Sequence, residues 1–108
     1  MVILVFYGNY KEGKLTMSLS GELDHHAARE AMREIEEKID TYLPRECILD
    51  FKKLNFMDSS GIALILKTYK RMRELEGKMS VKNVPPQPMR VLNTAGIVRL
   101  ISIREAGK

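Results

Sequence analysis

The chain has few of the residues that form disulfides, metal centres and catalytic triads. Of its 108 residues, one is cysteine, two are histidine and none is tryptophan. A single cysteine cannot form an internal disulfide or a thiolate cluster. Cys47 lies in the apolar stretch ECILDF, where we expect a small buried residue. A chain without disulfides fits a reducing compartment, so we expect a cytoplasmic location.

Long hydrophobic runs are also missing. The first apolar stretch, Val2–Tyr7, ends at Gly8 and has no basic segment before it, whereas a membrane span needs about 20 apolar residues. We therefore predict a strand here and expect neither a signal peptide nor a membrane partner.

The chain has only a small excess of positive over negative charge. The 18 basic and 14 acidic residues leave a net charge of +4, spread along the chain. The densest basic stretch, Lys67–Arg73, contains one aromatic residue and matches no nucleic-acid motif. This pattern favours the solvated face of a helix, and we expect no direct contact with nucleic acid.

The apolar pattern predicts one α/β domain spanning residues 1–108, in the order β-β-α-β-α-β-α-β. Strands alternating with helices imply parallel pairing, and the opening pair of strands reads as a hairpin, so we expect a mixed sheet with helices packed against it. The predicted strands are Val2–Gly8, Lys14–Ser20, Glu46–Phe51, Lys78–Val84 and Val98–Ile103, followed by a polar tail, Arg104–Lys108.

Three helices are predicted between these strands. The first follows Asp24, a residue type that caps helices, and ends before Pro44. The second carries apolar residues at helical spacing from Ile62 to Leu75 and ends at Gly77. The third, Met89–Thr94, follows a rigid turn at residues 85–88. The nearly continuous apolar strand Glu46–Phe51 suggests burial on both faces, with residues 52–55 as a connection.

The stretch NFMDSSGI, residues 55–62, places an acid, two hydroxyls and a glycine between an apolar strand and an apolar helix. A structural cap explains this composition, because Asp and Ser cap helices and Gly permits a tight turn. A phosphorylation switch explains it as well. Phosphate on a first-turn hydroxyl would meet unpaired N–H groups and the positive end of the helix dipole.

Such a phosphate would be compatible with the fold but not with every partner. It would bring about −1.5 to −2 charges and added bulk beside Asp58. The neighbouring residues Ser59, Ser60, Gly61 and Ala63 are small enough for another protein to approach the backbone closely. Local chemistry leaves the structural and the regulatory interpretations both open.

Enzymatic and metal-binding interpretations have less support. His25 and His26 are adjacent at the start of one helix, and the chain has no nucleophile elbow, zinc-protease motif, Walker loop or dinucleotide fingerprint. Asp24, His25 and His26 are metal-ligand types, but consecutive helical residues point about 100° apart. We expect no catalytic site, no metal site and no cofactor.

Two motifs together carry a resemblance to a known family. The chain contains GELDHHAA at residues 21–28 and FMDSSGIALIL at residues 56–66. In these motifs, their spacing and the order of elements, it resembles the anti-sigma factor antagonists of spore-forming bacteria, members of the STAS domain family. The resemblance covers nearly the whole chain.

The resemblance implies a small α/β domain without catalytic activity. In this family the unphosphorylated form binds an anti-sigma factor that is also a serine kinase, and so frees the sigma factor. The kinase phosphorylates the first serine of the DSSG motif, which corresponds to Ser59, and a serine phosphatase removes the phosphate. Both enzymes are therefore expected partners.

The same resemblance assigns roles to individual residues. Ser59 is the modified hydroxyl, Asp58 is its electrostatic neighbour, and Ser60 and Gly61 form the small helix start. The helix after Gly61 would extend the partner surface, including Ala63. The preceding loop would lie beside this turn and contact the kinase through Gly21, Glu22, Asp24 and His25. An alternative is a STAS adaptor without a switch, of the stressosome or transporter-associated kind, in which DSSG is only a helix cap.

Overall fold

The computed structural model describes residues 5–107. The predicted element order is confirmed, with a short 3₁₀ helix added before the last strand. The strands are β1 (Val5–Lys11), β2 (Lys14–Leu23), β3 (Glu46–Met57), β4 (Lys78–Val84) and β5 (Ser102–Glu105). The helices are α1 (His25–Tyr42), α2 (Ser59–Glu74) and α3 (Pro86–Ala95), and the 3₁₀ helix is Ile97–Arg99.

The five strands form one mixed sheet in the order β1-β2-β3-β4-β5. β1 is antiparallel to β2, as the predicted hairpin requires, and β2 to β5 run parallel. Parallel strands end at the same edge, so the carboxyl ends of β2 and β3 lie next to each other. The residues that follow those two ends are the ones the motifs singled out.

In β2, β3 and β4 one face of the sheet is buried and the other is partly exposed, contrary to the prediction for Glu46–Phe51. In β3, Cys47, Leu49 and Phe51 are buried and alternate with partly exposed residues. The buried set joins one core with α1, α2 and α3 residues such as Ile35, Ile65 and Leu92. Ile48 made the stretch look continuously apolar, although it lies on the partly exposed face.

The predicted connection at residues 52–55 is wrong, because β3 continues through it to Met57. Beyond Phe51 the next buried residues are Leu54 and Met57, which are three apart rather than two. The register with β2 shifts between Ser18 and Ser20 and again between Gly21 and Glu22, each time with an extra residue in β3. Two bulges therefore remove the period-two signal that identifies a strand.

Other boundaries also differ from the prediction. β1 runs past Gly8 to Lys11, β2 runs past Ser20 to Leu23, and the start proposed at Val2 lies outside the described residues. α3 begins at Pro86 instead of Met89, since the first helical turn tolerates proline. Val98–Ile103 is not a strand: Val98 and Leu100 are 42% and 49% exposed, and β5 begins at Ser102 and includes part of the predicted tail.

Cys47 is buried in the core, as predicted. Burial, with a smaller contribution from the charge of Glu46, raises the pKa of its thiol to about 12. None of the helices in residues 5–107 is long and apolar enough to cross a membrane.

Candidate functional site

The candidate site begins where two neighbouring strands end at matched positions. Leu23 of β2 and Met57 of β3 are partners in the parallel register, and each is followed by an aspartate. The Asp24 carboxylate accepts a hydrogen bond from Ala27 N at 2.9 Å and caps α1. The Asp58 carboxylate accepts one from Ser60 N at 2.8 Å and caps α2. The two helices therefore start side by side with the same chemistry.

One backbone hydrogen bond ties the end of β2 to the start of α2, and a second lies within the DSSG turn. Asp58 N donates to Leu23 O at 3.3 Å, and Gly61 N donates to Asp58 O at 3.0 Å. The predicted loop at residues 21–26 is wrong, because β2 continues to Leu23, α1 begins at His25 and only Asp24 lies between them. The end of β2 and the DSSG turn are neighbours, as the resemblance implied. Asp24, His25 and Ser59 are all exposed.

The two serines of the turn have different surroundings. Ser59 is the first residue of α2 and is exposed, whereas Ser60 is half-buried and borders a groove between α1 and α2. Ala63, one helical turn after Ser59, is also exposed. A second protein can therefore reach the Ser59 hydroxyl, while the Ser60 side chain lies between the helices.

The two glycines of the predicted partner set shape the site from below the surface. Gly21 and Gly61 are buried, so their role is to permit the backbone path rather than to offer a side chain. Gly21 has φ of 105°, a conformation that favours glycine. A Cβ on Gly61 would collide with the Met57 side chain and would lie 3.2 Å from Leu23 Cδ2, so the start of α2 lies too close to the end of β3 for a larger residue.

Glu22 differs from the rest of the predicted partner set. Along β2, Leu19, Gly21 and Leu23 are buried on the helix side, and Glu22 falls between the last two. Successive strand residues point to opposite faces, so the half-buried Glu22 lies on the face away from the helices. Asp24, His25, Ser59 and Ala63 are the exposed members of the set, and they lie on the surface formed by the two helix starts.

A groove of about 140 Å³ separates α1 from α2 beside this surface. Its rim carries three basic side chains, His25, Arg29 and Lys67, and apolar side chains such as Met32 lie below. Arg29 and Lys67 were not predicted as site residues. The sequence predicts their position only in part: Arg29 lies one helical turn after His25 and Lys67 one turn after Ala63.

Gln87 is the other residue that the sequence did not single out. Its Oε1 accepts a hydrogen bond from Met57 N, and its Nε2 donates one to Met57 O, both at 2.9 Å. Met57 directly precedes Asp58, so the first turn of α3 holds the strand end from which the DSSG turn starts.

Metal binding has no support in the described part of the chain. Across residues 5–107, no group of three or more His, Cys, Asp or Glu residues is placed to hold an ion. The available chemistry is a reachable hydroxyl at a capped helix start, with cationic side chains nearby.

A family model of the STAS domain matches residues 8–106. The chain therefore belongs to the STAS domain family, as the two motifs predicted. The chain is 36% identical over 94 residues to an anti-sigma F factor antagonist of Paenibacillus polymyxa, covering 87% of this chain and 80% of the relative.

Solved structures of similar proteins agree in fold. The anti-sigma factor antagonist SpoIIAA in its unphosphorylated form superposes with a TM-score of 0.80 at 27% identity, covering 92% of this chain and 87% of that one. The phosphorylated form of Bacillus SpoIIAA gives a TM-score of 0.72 at 27% identity, covering 92% and 90%.

Proposed function

We propose that this chain is an anti-sigma factor antagonist controlled by phosphorylation of Ser59. In its unphosphorylated form it binds an anti-sigma factor that is a serine kinase and releases the sigma factor, as in sporulation control. Phosphorylation by that kinase ends the binding, and a serine phosphatase restores it. The proposal includes a single cytoplasmic domain over residues 1–108, without catalytic activity or cofactor.

The observation that carries this proposal is the exposure of Ser59 at the first position of α2, next to a carboxylate that already caps the helix. Because Asp58 supplies the cap through Ser60 N, the Ser59 hydroxyl is not needed for that bond. The positive end of the helix dipole stabilises an added phosphate. The modified turn can therefore keep its fold.

Partner binding responds differently to the same phosphate. Ser59, Ser60 and Ala63 are small residues at the start of α2, and the phosphate adds negative charge and bulk there. A partner that packs closely on this surface loses the contact. The relatives support the proposal, since they are named anti-sigma F factor antagonists and SpoIIAA has a solved phosphorylated form.

The alternative is a STAS adaptor in which DSSG is only a cap. The start of α1 argues against it. Asp24 caps α1 from the register-matched position, with two histidines after it instead of two serines. The same cap therefore forms without hydroxyl residues, and the cap alone gives no reason for Ser59.

The test is phosphorylation by an anti-sigma factor serine kinase, the partner that this proposal names. The chain is incubated with that kinase and ATP, and the site is mapped by mass spectrometry on the wild type, Ser59→Ala and Ser60→Ala. We expect one phosphate on Ser59, lost in Ser59→Ala and retained in Ser60→Ala. Phosphate found mainly on Ser60, or none with an active kinase, contradicts the proposal.

A further inference from the structure

One edge of β3 is left without a strand just before the phosphoacceptor turn. β4 pairs with β3 over residues Glu46 to Asp50, whereas β3 continues to Met57. Within residues 5–107, no strand pairs with β3 at Met57 on the side away from β2. The N–H and C=O of a residue in a parallel strand point to the same side, so both Met57 groups face this edge.

The side chain of Gln87 takes the place of the missing strand. A carboxamide has a donor and an acceptor in one plane, and here it bonds to both backbone groups of Met57 at 2.9 Å. The contact joins residues that are 30 positions apart, and it is partly buried. Neither a carboxylate nor a hydrocarbon of the same length can make both bonds at neutral pH.

The segment that carries Gln87 is stiff. Pro85 is the N-cap of α3, Pro86 and Pro88 follow it, and Met89 N donates to Pro85 O at 2.9 Å. Proline fixes its own φ and restricts the residue before it. Three of the four prolines of the chain surround Gln87, so little backbone freedom is lost when the side chain engages Met57.

We propose that Gln87 is a positioning residue for the Asp58–Gly61 turn and that it sets how well Ser59 is presented to the kinase. This inference rests on the proposed function. Through Met57, Gln87 holds the strand end to which the Asp58 N–H···O=C Leu23 bond and the Asp58 cap are attached. Loss of both Gln87 bonds releases the turn while the core beneath it stays in place.

The first experiment measures the turn in the isolated chain. Amide hydrogen exchange by NMR compares wild type with Gln87→Met, which keeps the length of the side chain and removes both hydrogen bonds. We expect exchange at Met57 and Ser60 to become about tenfold faster, as loss of such bonds implies, while Cys47 and Leu49 exchange as before. Ile39→Val, which removes one buried methyl group in the last turn of α1, is the control for general destabilisation.

The second experiment measures phosphorylation of Ser59 by the anti-sigma kinase. We expect kcat/KM for Gln87→Met to fall about tenfold, whereas Ile39→Val stays within about twofold of wild type. If Gln87 contributed only to general stability, Gln87→Met and Ile39→Val would both have lower melting temperatures, and their kcat/KM values would be similar.

Gln87→Glu provides a pH-dependent check. At neutral pH the introduced carboxylate can accept from Met57 N but repels Met57 O, and protonation restores a donor. The difference in amide exchange rate at Met57 and Ser60 between Gln87→Glu and wild type should therefore shrink as the pH falls from about 7 towards about 4.5, near the ordinary pKa of Glu. A difference that does not change with pH contradicts the bond to Met57 O.

The outcomes separate the two proposals. Unchanged exchange at Met57 in Gln87→Met overturns the positioning role, as does faster exchange with unchanged phosphorylation. If an active kinase does not phosphorylate the wild type, the proposed function fails. In that case, exchange that accelerates only around the turn still supports the positioning of Asp58–Gly61 by Gln87, and uniform acceleration overturns it.

Discussion

Gly61 packs against Met57 so closely that a Cβ on Gly61 would lie 2.5 Å from the Met57 sulfur. Met57 is fully buried at the end of β3, so its side chain has little space into which to move. The start of α2 is therefore seated directly on the strand end. Glycine is the residue that permits this distance.

Gly61→Ala should destabilise the domain, although alanine is the better helix former. Overpacking of this kind typically costs about 1–3 kcal/mol, which outweighs the gain in helix propensity of about 1 kcal/mol. Urea unfolding of the single and double variants tests the cause. If Met57 is the obstacle, Gly61→Ala is less harmful in a Met57→Ala background. Equal effects in both backgrounds would place the strain elsewhere.

Ser59→Asp should separate stability from binding. A carboxylate in the first turn of a helix is favourable by about 0.3–1 kcal/mol, so we expect a melting temperature close to that of wild type. Binding to the ADP-loaded anti-sigma kinase should weaken by more than about tenfold, roughly 1.4 kcal/mol, while Ser59→Ala retains binding and cannot be switched off. Calorimetric titration measures the affinity.

Ser102→Asp is the matched control for that experiment. Ser102 is exposed at the amino end of β5, so the same exchange adds one negative charge without touching the helix starts. It should bind like the wild type. If Ser59→Asp also binds as tightly as wild type, negative charge at this turn does not control the partner, and DSSG is better explained as a cap.

The matched caps predict a difference between losing the capping oxygen and losing the charge. Asp24→Ala and Asp58→Ala should each lower the free energy of unfolding by about 0.5–2 kcal/mol, because Ala27 N and Ser60 N lose their acceptors. Asp24→Asn and Asp58→Asn keep an acceptor and should lose much less. Chemical denaturation of the four variants measures both effects. Similar losses for Asn and Ala would show that charge, rather than the hydrogen bond, stabilises the helix starts.

Cys47 should make stability fall at alkaline pH. Its folded pKa is raised to about 12, so between the ordinary thiol pKa and about pH 12 the unfolded chain releases a proton that the folded chain retains. The neutral thiol therefore makes its full contribution to the free energy of unfolding below the pKa of the thiol in the unfolded chain. That contribution falls by about 1.4 kcal/mol per pH unit as the pH rises through this window.

Cys47→Ala isolates this effect from other groups that titrate in alkali. The stability difference between wild type and Cys47→Ala, measured by urea unfolding from about pH 8 to about pH 11, should shrink as the pH rises. A constant difference would mean that the folded thiol ionises at its ordinary pKa.

Local chemistry explains why the turn could be predicted. The acid, the hydroxyls and Gly61 are consecutive, and capping depends on neighbours within three residues. Alternation in β2 and helical spacing in α1 were readable for the same reason. The bulges of β3 were not, because they exist only as a register with β2 and leave Phe51, Leu54 and Met57 at an irregular spacing.

Two other features required the tertiary structure. Nothing near Gln87 in the sequence indicates a bond to Met57, since its partner lies 30 residues earlier. The groove rim likewise joins Arg29 and Lys67 from different helices.

In the last part of the chain, the apolar residues Val98 and Leu100 suggested a strand, although both are largely exposed.

The bond between Met57 and Gln87 also has a consequence during synthesis. A nascent chain that has emerged through Gly77 already contains Ser59 and all of α2, but it lacks the residue that closes the free edge of β3. Proteins are made from the amino terminus, and early segments form structure before later ones arrive. The DSSG motif is therefore translated before its geometry can be completed, and a prematurely terminated chain carries this motif without the two hydrogen bonds between Gln87 and Met57.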